Sequence, residues 1–286
     1  MSTTNGHPAG KTILFIHGLW MTPRSWENWA KRYESRGYKV LAPSWPGLEG
    51  EVEALNRDST PLTKLDVPKI VDHYERIICE LDSPPIIVGH SLGGTIMQLL
   101  IDRGLGAAGI GVSPGTVKGI RDLPLSTLKS SMPVLGNPFN RGNATPLNAK
   151  QFHYAFGNTL RREESDKIYE RYHVPAANRV LFQVAFSNLT PGTPVKVDFD
   201  RENRAPMLFI AAGEDHVVPA KVVRKTARKY NGVPVDFKEF PGRPHFPGGP
   251  GWEEVADYAL NWAIEHTETN GSRTPKAQHE TQRAAH

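Results

Sequence analysis

The stretch IIVGHSLGGTIMQLL, from Ile86 to Leu100, decides how the chain is read. An apolar run stops at Gly89 and a second begins at Thr95. The six positions from Gly89 to Gly94 hold a histidine, a serine and three glycines. Two readings meet this pattern. One is a plain strand-to-helix turn, where glycine is common. The other is a nucleophile elbow, with Ser91 held on a strained turn between a strand and a helix. The elbow requires small residues two before and two after the serine, and Gly89 and Gly93 occupy those places.

The flanking sequence supplies the context. Apolar runs rich in branched residues predict strands over Thr12–Gly18, Tyr38–Pro43, Pro84–His90 and Gly106–Gly115. Helical spacing separates them: Trp26, Trp29 and Tyr33 in one segment, and Ile70, Val71, Tyr74, Ile77 and Ile78 in another. Strands alternating with helices imply a parallel sheet with right-handed crossovers. The alternation breaks over 114–204, far longer than a bare loop in a compact domain. Helical patterns such as LNAKQFHYAFGN make this segment an inserted helical lid. It holds Phe139, Phe152, Tyr154, Phe156, Tyr169, Tyr172, Phe182 and Phe186. Strand and helix resume over 205–268, and the polar tail 269–286 is expected to be disordered. The expected organisation is therefore an α/β core made of 1–113 and 205–268, a lid, and a tail.

Composition narrows the function. The chain has 286 residues and a net charge of +4, with Lys and Arg scattered among acids. Nucleic-acid binding needs a concentrated basic face, so no nucleic-acid partner is expected. The single cysteine, Cys79, excludes an intramolecular disulfide and suits a reducing cytosol. Its segment RIICEL places it in the core. MSTTNGHPAG lacks an apolar signal region, and no window approaches the ~18 apolar residues of a membrane span. The expected location is cytoplasmic, without a membrane partner. His153 and His173 have no motif partner, so no metal site is expected. Nothing sets an oligomeric state.

Four motifs then stand in a telling order: FIHGLW after the first strand, VGHSLGG at the turn, AAGEDHVVP after the late strand, and PGRPHF before the last helix. Together the chain from Lys11 to His266 resembles the α/β-hydrolase fold superfamily, except that the opening hairpin of that family has no counterpart. The resemblance implies an α/β-hydrolase fold and no cofactor. It implies Ser91 as nucleophile, His245 as general base and Asp215 as the acid orienting it. Glu214 is the competitor of Asp215, which stands directly before HVVP, where the family places its acid. The oxyanion donors would be the backbone N–H groups of Leu19 and Leu92. His17 is expected to support the oxyanion loop, His90 to pack, and His216 to bond locally. Trp20 and Met21, with aromatic side chains of the lid, would line an apolar pocket.

The implied function is a serine hydrolase acting on a small apolar carboxylic ester through an acyl-enzyme. Lactonases, thioesterases, C–C hydrolases and cofactor-free peroxidases share this triad, so fold does not fix the substrate. A non-catalytic receptor on the same fold would show a degenerate triad, whereas all three members are present here. The serine argues against members that use an aspartate at the elbow.

Overall fold

In the computed structural model, residues 11–271 are described, with side chains to 267. The strands are β1 Thr12–Ile16, β2 Lys39–Leu41, β3 Ile86–His90, β4 Ala108–Val112, β5 Ala144–Thr145, β6 Ala176–Ala177, β7 Met207–Ala212 and β8 Val235–Phe240. The helices are α1 Glu27–Glu34, α2 Val52–Arg57, α3 Val67–Cys79, α4 Leu92–Asp102, α5 Leu125–Leu135, α6 Ala149–Phe156, α7 Arg162–Tyr172, α8 Asn178–Ala185, α9 Ala220–Ala227 and α10 Trp252–Gly271. Six strands form one sheet in the order β2-β1-β3-β4-β7-β8, every neighbour parallel. β5 and β6 form a separate antiparallel pair.

A parallel sheet is covered on both faces, so its strands are apolar at every position rather than alternately. β1 shows this: TILFI is buried throughout. Ile13 and Phe15 face one apolar cluster, while Leu14 and Ile16 face another. The first cluster takes Trp26, Trp29 and Tyr33 from around α1 and Val255, Ala256, Ala259 and Leu260 from α10. Phe15 stacks on Trp26 at a centroid distance of 4.6 Å, with Trp29 edge-on to both rings. Each such pair contributes about 0.5–1.5 kcal/mol beyond its area. The second cluster holds α3, α4 and α9. It continues without a break into Phe152, Phe156, Tyr172, Val174 and Val180 of the 114–204 segment.

The structure revises several expectations. Cys79 is exposed. The buried face of α3 runs through Val67, Ile70, Val71, Tyr74 and Ile78, and the next residue turns away from it. Helix α10 carries the chain to Gly271, past the expected tail boundary, because nothing before Asn270 interrupts it. The remainder of the expected tail lies outside the described residues. The 114–204 segment contains the β5–β6 ladder besides its helices. Of its aromatic residues, Phe152 and Phe156 are fully buried, whereas Phe139 and Phe186 are exposed.

Candidate active site

The chemistry-bearing residues gather at the carboxyl ends of the strands, where open α/β sheets bind ligands. Ser91 follows β3 and opens α4, with φ 53° and ψ −123°. A side chain in this left-handed region costs about 1–3 kcal/mol and persists only where its surroundings force it. Here the forcing is visible. A Cβ on Gly89 would lie 2.2 Å from the Gly93 carbonyl oxygen, and one on Gly93 would lie 2.1 Å from that of Ile16. Strand and helix therefore meet at backbone contact. The Ser91 N–H donates to Val112 O at 3.1 Å, and its carbonyl accepts from Gly115 N–H at 2.7 Å.

Asp215 follows β7 and is 3% exposed. One carboxylate oxygen, Oδ1, accepts from the N–H groups of Val217 and Val218 at 2.7 and 2.8 Å. The other, Oδ2, accepts from His245 Nδ1–H at 2.6 Å. Both oxygens are thus committed, and the ring's proton is fixed on Nδ1. His245 Nε2 is buried without a hydrogen-bond partner. Glu214 points to solvent, its carbonyl accepting from Asn158 Nδ2 at 2.8 Å. The structure brings Asp215, not Glu214, to the histidine.

The loop after β1 reaches the same place. A Cβ on Gly18 would lie 2.8 Å from the Ser91 Cβ, so only glycine lets this backbone approach the serine. His17 is fully buried, stacked on Trp45. Its Nδ1–H donates to Gly18 O at 3.0 Å, and its Nε2 accepts from Trp45 N–H at 3.3 Å. This fixes the orientation of one peptide plane. The carbonyl of Gly18 and the N–H of Leu19 belong to that plane and point opposite ways. Anchoring one therefore aims the other. Leu92 N–H lies in the first turn of α4, where N–H groups have no partner inside the helix.

The 114–204 segment touches all three loops. Trp20, at φ 64°, donates from Nε1–H to Thr145 O at 3.1 Å and accepts at its carbonyl from Val174 N–H at 3.0 Å. Phe156 sets its ring edge-on to Trp20 and to His245, the latter at 5.0 Å, and its carbonyl accepts from Phe246 N–H at 3.1 Å. His216 shares a hydrogen bond with Tyr154 O at 2.8 Å and sets its ring against that of Tyr154, so its bonding reaches into the 114–204 segment instead of staying local as expected. Met21 is fully buried in the same apolar cluster. Sequence reasoning did not single out Phe156 among the aromatic residues of its segment, and it missed Trp45; both places depend on contacts distant in the chain. A small cavity of about 30 Å³ is lined by His245, Ser113, Ala212, Phe240, Pro244 and Trp252, but not by Ser91.

Burial pushes the His17 and His173 imidazoles down to about 4. His173 Nε2 accepts from Leu147 N–H at 3.0 Å, a bond only the unprotonated nitrogen can make. An unfolded histidine, near pH 6.5, binds its proton first. Stability is therefore complete above that value and is lost as pH falls toward 4, by about 2–3 kcal/mol for each group. The melting temperature is expected to drop between pH 7 and 4.5. His173→Gln, which keeps an acceptor but cannot titrate, should drop less. Identical pH profiles for the two proteins would refute this account. Among the described residues, no cluster of three or more His, Cys, Asp or Glu has the geometry of a metal site, and no helix is long and apolar enough to cross a membrane.

A model of the alpha/beta hydrolase family matches residues 13–258. Solved structures of similar shape include a monoacylglycerol lipase from Paleococcus ferrophilus, 18% identical, with a TM-score of 0.61 and coverage of 91% of this chain and 96% of that one. A pyrethroid hydrolase from Sphingobium faniae is 20% identical, with a TM-score of 0.64 and coverages of 90% and 98%. Tomato methylketone synthase I, complexed with 2-tridecanone, is 16% identical, with a TM-score of 0.65 and coverages of 90% and 99%. Comparison with curated proteins gives no match.

Proposed function

Starting from a chain that belongs to the alpha/beta hydrolase family, we propose that it is a serine hydrolase cleaving a carboxylic ester of a small apolar substrate. The observation that carries this is the Asp215–His245 pair, 2.6 Å apart, with Nε2 left unpartnered, and Ser91 on a strained elbow at the same end of the sheet.

In this mechanism Ser91 Oγ attacks the acyl carbon while His245 Nε2 takes its proton. Asp215 holds the imidazole in the required tautomer and stabilises the imidazolium that forms. The N–H groups of Leu19 and Leu92 receive the oxyanion, aimed by the His17–Gly18 anchor and by the start of α4. The alcohol leaves with the proton from His245. Water then gives a proton to the same nitrogen as its oxygen attacks the acyl-enzyme, and His245 returns that proton to Ser91 Oγ as the acyl C–Oγ bond breaks and the acid leaves. No step calls for a cofactor.

The 114–204 segment is proposed as the lid that sets acyl-chain preference. Phe156 and Trp20 support this, standing against His245 and beside the oxyanion loop. The lipase and the pyrethroid hydrolase among the similar solved structures fit an ester substrate.

A fluorophosphonate probe is expected to label the protein once, at Ser91. A panel of p-nitrophenyl esters of graded chain length should be turned over faster than lactones or thioesters, and the graded series reads the lid's preference. Absence of labelling at Ser91 would remove the serine-hydrolase reading. Labelling with faster thioester turnover would move the substrate class instead.

A further inference from the structure

We propose that His90, the residue before the nucleophile, is a positioning residue for the general base: its Nε2–H clamps the carbonyl of His245 and ties the elbow to the histidine loop. This rests on the serine-hydrolase reading above.

His90 is fully buried at the end of β3. Its Nε2 lies 2.9 Å from the backbone oxygen of His245, across 155 positions of sequence. A carbonyl oxygen only accepts, so Nε2 carries the proton and Nδ1 is a bare lone pair. That Nδ1 is buried with no partner. An unpaired buried acceptor destabilises a fold. Around it stand the Trp26 ring, edge-on at 6.2 Å, and the backbone of Gly18, and neither bonds to Nδ1. A hydrocarbon ring would fill this space without the penalty. The polar ring is therefore worth its cost only through the single bond it makes, and that bond goes to the base.

The geometry says what the bond does. Asp215 fixes the tautomer of His245, and Phe156 packs against its ring. Neither of those two contacts holds its main chain. The backbone is pinned from two sides, by His90 at the His245 carbonyl and by Phe156 at the next N–H. Because His90 is bonded covalently to Ser91, one side chain links the nucleophile's own backbone to that of the base. The two imidazoles lie 4.6 Å apart between centroids. Burial first, and then the neighbouring His245, hold His90 well below the ordinary histidine range. It is a neutral donor and brings no positive charge beside an imidazolium forming on His245. A lysine or arginine making the same bond would.

The test uses the full chain and three variants. His90→Phe keeps a ring without a donor, His90→Asn keeps polarity without reach, and His90→Gln has an amide N–H long enough to approach the carbonyl. Each is measured for kcat and KM on one p-nitrophenyl ester, for fluorophosphonate labelling rate at Ser91, and for thermal melting. His90→Phe and His90→Asn are expected to lose about 10–100-fold in both kcat and labelling rate, the scale of a misplaced catalytic group. KM should stay within about threefold, and His90→Gln should recover most of the loss. If the phenylalanine variant does not fold, the Asn and Gln pair decides. Equal rates for those two, rates near wild type throughout, or a change confined to KM would overturn the proposal. Absence of labelling in the unmodified protein overturns the serine-hydrolase reading and this proposal with it. Normal labelling with unchanged variants overturns this proposal alone.

Discussion

Ser91→Ala is expected to remove turnover, with a fall in kcat on the order of 10⁵–10⁶ and the fold intact. The methyl group fits wherever the hydroxymethyl did, since the φ of 53° belongs to the elbow and not to the hydroxyl. His245→Gln should lose nearly as much, because the serine is a weak nucleophile without a group to take its proton. The double variant should be little worse than either single one, since the two residues act as one unit. Steady-state rates on one ester, with circular dichroism as the folding control, check all three proteins. Residual turnover in Ser91→Ala above a tenth of wild type would show that the serine is not the nucleophile. A double variant markedly slower than both singles would show that the pair does not act as a unit.

The second large effect is expected at Asp215. Asp215→Asn keeps the shape of the side chain and can still accept at one oxygen from Val217 and Val218. The other position becomes an amide that donates toward Nδ1, which then presents its lone pair and places the proton on Nε2. The base is blocked where it must accept. A loss of roughly two to four decades in kcat is expected, bounded above by the ~10⁴ known for this substitution in another triad. Glu214→Gln should stay within about threefold, as its carboxylate is exposed and faces away from the histidine. The reverse result would place the orienting carboxylate one residue earlier. No effect from either would place it elsewhere in the molecule.

The two acids illustrate what the chain discloses by itself. Neighbouring residues on one loop diverge, and only one reaches the base. The motif order favours Asp215, and the fold buries it while leaving Glu214 outside. The elbow was legible because its requirement is local: two glycines at fixed offsets, between a strand and a helix. The parallel sheet was legible for a similar reason, since runs apolar at every position suit strands covered on both faces. Cys79 was misplaced because periodicity specifies a helical face, and one residue past Ile78 is a rotation of about 100° off it. What could not be read was contact between distant segments. Nothing around His90 announces a bond to residue 245, and nothing in NAKQFHYAF announces that Phe156 leans on His245. Such contacts depend on where the chain returns after its crossovers.

The continuity of the second apolar cluster, from α3 and α4 into the helices of the 114–204 segment, bears on how the molecule gains and loses structure. That segment shares its interior with the sheet, and its ties run across the chain: Trp20 to Thr145 and Val174, and Phe156 to Phe246. It has no separate interior to melt as an independent body. Heating is therefore expected to disassemble this segment and the sheet together, and two separated melting transitions would contradict that. Ser91, Asp215 and His245 come from widely separated parts of the chain, and ties of the same long range run between their loops and this segment. Activity is therefore expected to fall with the melting of the shared interior, not after it.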